Sequence, residues 1–232
     1  MTNHELLDPR SHRHLRLRAK GGGTAPHFVQ IVAGEFAEAA ASTPIVFSKD
    51  AASGSFYAAA LFGFKPGESF LEDITDGGGF NPLSLQRDGF FISGEHIAID
   101  RHNPRFSETD GEPLFDESHH PSVRLRQIQR VLGQLHAGIE ATNGFIRALT
   151  DLRLIEPIDV SLTFDGGEVM TLRGLYTVSL DALHEVDDAV ALRLFRSGHL
   201  QLAYTMSASL KQITILARLR NCRIALSSGD RL

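Results

Sequence analysis

His119 and His120 follow closely on Glu112, Asp116 and Glu117, the densest gathering of potential metal ligands in the chain. Imidazole and carboxylate together can ligate a divalent cation. Adjacent histidines in an extended loop point apart, however, and the single cysteine, Cys222, rules out a Cys-rich zinc site and any intrachain disulfide. The expectation is a solvated loop with no bound metal and no other cofactor. His136 and Glu140 lie four apart on a predicted helix, a spacing that suits an exposed pair. Ser53 in Ala52-Ser53-Gly54-Ser55 lacks the Gly-x-Ser-x-Gly setting of an activated nucleophile and reads as a turn residue. Neither Gly21-Gly22-Gly23 nor Gly77-Gly78-Gly79 leads into the Lys-Ser/Thr of a P-loop or forms a dinucleotide fingerprint, so both read as flexible turns. No residue is assigned a catalytic role.

What remains is binding chemistry in the polar middle of the chain. Arg87, Asp100, Arg105, Glu112 and Asp116 cluster in sequence around two loops, and an arginine fork can present itself to a carboxylate at a pocket mouth. The competing reading pairs Arg87 or Arg105 with one of these acids simply to pin the loop. Of the two arginines, Arg87 is expected to serve binding more than folding, because a guanidinium at a loop-to-strand junction can meet a ligand. Phe56, Tyr57, Phe62, Phe64 and Phe70 could stack on a ligand, although aromatic strand residues more often fill a core.

The elements that must position these residues follow from pattern. His27 to Val32, Pro44 to Phe47 and Ser55 to Phe64 read as strands, with Gly34 to Ala41 as one or two helical turns and Ser53-Gly54 as a turn. Phe90 to Asp100 is another strand candidate, broken at Ser93-Gly94, and Arg101 to His120 is the longest loop. Pro121 suits the first position of a helix reaching about Leu152. Leu125, Ile128, Leu132, Leu135, Ile139, Ile146 and Leu149 mark its buried face, and Gly133, Gly138 and Gly144 mark a bend or a close approach. Ile158 to Phe164 and Glu168 to Val178 form a hairpin through Asp165-Gly166-Gly167. Ser179 caps a short helix, Asp187 or Asp188 starts another that ends at Ser197-Gly198, and His199 to Arg220 reads as one long helix. The fold class is α+β: antiparallel sheets from the N-terminal strands and the 158–178 hairpin, packed against long C-terminal helices. Positions 1–232 read as a single domain, strand-rich over 12–100, loop over 101–120 and helix-rich over 121–232.

A net charge of −5 over 232 residues argues against sequence-independent nucleic-acid binding. The basic run His12, Arg13, His14, Arg16, Arg18 and Lys20 reads as a solvated strand with Leu15 and Leu17 on its other face. No apolar run is long enough to span a bilayer and no signal-peptide core is visible, so the expected location is the cytoplasm. The alternative is the cell surface, reached by a route without an N-terminal signal peptide.

Several segments together carry a resemblance. They are His12-Arg13-His14-Leu15-Arg16, Gly34-Glu35-Phe36, Pro44-Ile45-Val46-Phe47, Gly111-Glu112-Pro113-Leu114-Phe115-Asp116, Leu154-Ile155-Glu156-Pro157, Gly174-Leu175-Tyr176 and the Ser209-Leu210 helix. Over nearly its whole length the chain resembles the bacterial SapC-like family, whose name refers to the surface layer. Members commonly carry an Arg-Arg-Tyr-Pro-Phe block where this chain has Gln86-Arg87-Asp88-Gly89-Phe90, matching only at Arg87 and Phe90. The resemblance implies a genomic setting near TonB-dependent receptors, cupin-like proteins and proteins resembling flavin-dependent tryptophan halogenases, and it brings no established catalytic residues. Three readings stay open. The first is a non-enzymatic cytoplasmic accessory protein with a protein partner or a small acidic or peptide ligand, linked to nutrient uptake. The second is an exported surface-layer structural protein, and the third an accessory subunit of a halogenase-like or cupin-like enzyme.

Overall fold

The structure, a computed structural model, describes residues 4–19 and 25–229, with side chains through Leu226. Lys20 of the basic run and Gly21-Gly22-Gly23 lie outside the described residues. In chain order the strands are β1 (His4–Leu6), β2 (Arg16–Leu17), β3 (Phe28–Gln30), β4 (Ile45–Lys49), β5 (Phe56–Leu61), β6 (Phe90–Ser93), β7 (His96–Asp100), β8 (Phe106–Ser107), β9 (Glu112–Pro113), β10 (Ile155–Pro157), β11 (Val160–Thr163), β12 (Val169–Leu172) and β13 (Tyr176–Val178). The helices are α1 (Phe36–Ala40), α2 (Leu71–Asp76), α3 (Leu83–Gln86), α4 (Val123–Asp151), α5 (Leu180–His184), α6 (Asp188–Arg196), α7 (His199–Ser209) and α8 (Gln212–Gly229). Antiparallel sheets packed with helices make this an α+β fold, as the sequence pattern implies. The chain falls into two compact units. One joins the N-terminal segment to Leu83–Ala137, and the other joins Ala25–Pro82 to the residues from Gly138 onward.

The first unit holds two sheets, ordered β1-β7-β6 and β8-β2-β9. Gly94, at φ 59°, turns β6 into β7, the break read from Ser93-Gly94. The segment 101–120 is more ordered than a loop, because β8 and β9 within it both pair with β2. Strands of two residues each are too short to show a period, so only their pairing reveals them. The basic run is likewise a strand only at Arg16–Leu17. Before it the chain turns, with the His12 amide donating to the Asp8 carbonyl and the buried His12 ring 3.1 Å from Glu5. Leu15 and Leu17 are buried, as alternation demands, and pack with Phe90, Ile99, Phe106, Leu114 and Leu125.

Helix α4 starts two residues later than its proline suggests, at Val123. The Ser122 hydroxyl accepts the Leu125 amide at 3.2 Å, so Ser122 is the cap, and Pro121 lies outside in a bridge with Phe115. Ile139, expected on the buried face, is 52% exposed, while Thr142 and Phe145 are buried. The spacing Leu125, Ile128, Leu132, Leu135, Gly138, Thr142, Phe145, Leu149 keeps steps of three and four, and it runs through the glycine instead of Ile139.

The second unit is built on a five-stranded sheet, β10-β13-β4-β5-β3. Asp50 closes the β4–β5 turn, its Oδ1 accepting the Ser53 amide and hydroxyl, each at 2.8 Å. Those bonds hold its carboxyl below the usual range, the Ser53 amide having the largest effect. Phe47 of β4 reaches Phe145 of α4, with ring centroids 6.0 Å apart, and α7 packs on β4 and β13. The expected single helix from His199 to Arg220 is two. The buried Ser209 hydroxyl donates back to the Met206 carbonyl at 2.6 Å and accepts the Ile45 amide at 2.8 Å, which ties the helix to the sheet and bends it at Leu210-Lys211. The 158–178 hairpin is also divided. Its last residues, β13, pair with β10, just before the hairpin, in the main sheet, and β11 and β12 form a separate ribbon. At the tip the positive φ falls on Gly167, at 77°, and not on Gly166, which fits a three-residue turn ending in a left-handed glycine. Among the described residues no helix is long and apolar enough to cross a membrane.

Candidate functional site

The sheet of the second unit presents a face that sequence order conceals. Ser48 lies opposite Tyr57 and Phe28 opposite Leu61. Cross-strand partners share a face and alternate residues return to it, so Phe28, Ser48, Tyr57 and Leu61 line one side of the sheet. After β12 the chain continues through Arg173 and Gly174, the latter at φ 72°, and the Ser48 hydroxyl donates to the Gly174 carbonyl at 3.2 Å. Between this segment and the sheet face runs a cleft of about 570 Å³. That volume suits a small ligand or a short peptide segment.

The charges of the cleft are one-sided. Arg173 and His27 line it, Lys49 borders it, and among the described residues no Asp or Glu does. The Lys49 ammonium itself lies on the opposite face of the sheet, 4.8 Å from the Phe56 ring centroid and 5.1 Å from that of Tyr176, because Lys49 pairs with Phe56 and Tyr176 with Phe47. Arg173 and Lys49 make no ion pair among the described residues. Phe28, Tyr57 and Phe64 supply apolar and aromatic surface on the cleft side. A neighbouring cleft of about 510 Å³ shares Phe28 and Tyr57 and adds Asp50 and Asn143. A third, of about 440 Å³ beside α6, sets Asp151 against Arg193, so it offers no single sign of charge. Within the first cleft, among the described residues, no hydrogen bond joins a nucleophile to a base.

The residues singled out from sequence order lie in the first unit and serve their own surroundings. The Arg87 Nη1 donates to the Phe90 carbonyl at 3.0 Å and its guanidinium sits 5.2 Å from the Phe91 ring centroid. Arg105 is buried, its Nη1 donating to the carbonyls of Leu85, Gln86 and Asp88. It pins the end of α3 through backbone oxygens, where sequence order offered it acids. Asp100 Oδ1 accepts the His102 amide, Asp116 Oδ1 accepts those of Ser118 and His120, and Glu112 is exposed on β9. Among the described residues no group of three His, Cys, Asp or Glu could hold a metal ion.

From sequence alone Tyr57 and Phe64 stand out only as possible stacking residues, and His27 and Arg173 carry no binding signal. Phe62 and Phe70, named with them, are fully buried core residues.

The sequence profile of one family matches residues 7–216, nearly the whole chain. The protein belongs to the SapC family. The match covers both units and every residue of the cleft. No curated protein and no solved structure matches the chain.

Proposed function

We propose that this SapC-family protein is a non-catalytic accessory protein that binds a small anionic ligand, a carboxylate with an aromatic or apolar body or a short acidic peptide, in the cleft between the sheet and the 171–176 segment. The observation that carries this reading is a cleft lined by Arg173 and His27 beside Phe28, Tyr57 and Phe64, with no acid in its lining among the described residues. Ligand handling of this kind accords with the uptake setting that the resemblance implies.

Intrinsic fluorescence tests it directly, since the chain has no Trp and two of its three Tyr, Tyr57 and Tyr176, line the cleft. Titration with aromatic carboxylates and acidic tripeptides is expected to change the tyrosine signal saturably. The variant Arg173→Ala should weaken binding about threefold to fivefold, the scale of one exposed charge contact, without lowering the melting temperature. Equal affinity in that variant, or no saturable change with any carboxylate, overturns the reading. Recovery of the protein in shed surface material and not in cytosol would favour a surface-layer role instead.

A further inference from the structure

Two helical stripes line the cleft of about 440 Å³ beside α6, a volume within the range of small-molecule sites. On α4, Asp151 and Leu152 lie three and four residues beyond Ala148; on α6, Arg193 and Leu194 lie three and four beyond Val190. Those intervals return side chains to one face of a helix, so each wall is a continuous stripe. His199, the first residue of α7, also lines the cleft, its ring centroid 5.6 Å from that of Phe145 on α4.

The charged groups of the two walls are opposite in sign and uncommitted. Asp151 and Arg193 share the cleft, yet among the described residues neither side chain makes an ion pair or a hydrogen bond, with the other or with a third group. The rest of both stripes is aliphatic, Ala148 and Leu152 on one wall, Val190 and the buried Leu194 on the other. Asp151 is also the last residue of α4, where the partial negative charge of a helix end favours a cation beside it. Burial lowers the His199 pKa, so its imidazole is neutral near pH 7 and adds a donor and an acceptor without a charge. Ser197, His199 and Asp151 are the residue types of an acyl-transfer triad, but the Ser197 hydroxyl donates to the Leu194 carbonyl at 3.1 Å. Among the described residues nothing links it to the imidazole, and the cleft is equipped for recognition. A simple anion would meet repulsion from Asp151, and a simple cation repulsion from Arg193. A zwitterion suits both, and the aliphatic stripes suit an apolar side chain.

We propose that this cleft binds a free zwitterionic α-amino acid with an aliphatic side chain, its ammonium on Asp151, its carboxylate on Arg193 and its side chain against the aliphatic stripes. The site lies within the second unit, shares no lining residue with the 570 Å³ cleft, and does not depend on the function proposed for that cleft.

Equilibrium dialysis of the full chain against radiolabelled L-leucine tests it. Uptake should saturate. Unlabelled 4-methylpentanoate and 3-methylbutylamine, which keep the body of leucine with one charge each, should compete at least about tenfold more weakly than leucine. Asp151→Asn should weaken leucine binding about fivefold to tenfold and let 4-methylpentanoate compete as well as leucine. Arg193→Gln should do the same for 3-methylbutylamine. Both side chains are exposed, so both variants should melt at the wild-type temperature. Arg173→Ala should leave leucine binding unchanged. Uptake that does not saturate overturns the proposal, and so do single-charge analogues that compete as well as leucine with the wild-type chain. Affinity that survives Asp151→Asn or Arg193→Gln overturns it too, as does binding lost with Arg173→Ala, which would place leucine in the other cleft.

Discussion

Arg220→Ala is expected to destabilise the second unit by about 3 to 5 kcal/mol and to loosen one wall of the cleft. Its side chain is 5% exposed, with Nε 3.1 Å from Glu68 and Nη2 2.8 Å from Glu168. The guanidinium also lies 4.1 Å from the Phe164 ring centroid, and Phe164 meets Phe64 of the cleft at 5.6 Å. One residue of α8 therefore grips the β11–β12 ribbon, whose last residues, Thr171 and Leu172, line the cleft. Truncation leaves Glu68, 14% exposed at its side chain, without a cation in a place where water cannot replace it. Arg223→Ala is the control. Its pair with Asp73 is about half exposed, at 46% and 41%, and should contribute no more than about 1 kcal/mol. Denaturant unfolding of both variants measures the difference. Carboxylate titration of Arg220→Ala under folding conditions should show weaker binding, because the ribbon has lost its anchor. A stability loss below about 1 kcal/mol would show that the pair only offsets its own desolvation.

The legible parts of this fold are those whose signal is local. The hairpin around Gly167, the caps at Ser179 and Asp187 and the period of α4 each lie within one short window, and the capping bonds are present. The buried-face pattern of α4 went astray at Ile139 because hydrophobicity alone scores isoleucine above glycine, although the stripe runs through the glycine. The break at Leu210 was hidden for a different reason. It depends on Ser209 meeting the amide of Ile45, a residue far away in the sequence. The same limit explains the candidate site. Arg87, Asp100, Arg105, Glu112 and Asp116 drew attention because they are close in sequence; Arg87, Asp100, Arg105 and Asp116 bond within their own surroundings, and Glu112 is exposed on β9. His27, Tyr57 and Arg173 come to one cleft only through the fold, above all the pairing of β4 with β5 that sets Ser48 opposite Tyr57. Pairing between distant strands follows no local period, so a site built across it stays invisible until the register is known.

Gly138→Ala is expected to destabilise the protein by about 2 kcal/mol, although alanine is the better helix former by roughly 1 kcal/mol. A Cβ built at Gly138 would stand 2.6 Å from Val32 Cγ2 and 2.8 Å from Val32 Cβ, closer than carbon atoms approach. Val32 cannot easily withdraw. Its side chain is β-branched and stiff, its amide donates to Glu35 Oε2 at 2.9 Å, and the next amide, of Ala33, donates to the Thr142 hydroxyl at 2.8 Å. Thr142 in turn donates to the Gly138 carbonyl at 2.6 Å, so the helix and the Val32 segment are fastened on both sides of the contact. Gly133 makes the opposite case within the same helix. Nothing lies within 4 Å of a Cβ placed there, and Gly133→Ala should stabilise by up to about 1 kcal/mol. The steric account also predicts rescue. Val32→Ala removes the clashing methyl groups, so the double variant Val32→Ala/Gly138→Ala should be more stable than the sum of the single losses implies, with a coupling of about 1 to 2 kcal/mol. Additive losses across that cycle, or a Gly138→Ala variant as stable as Gly133→Ala, would show that the glycine is not there to admit Val32.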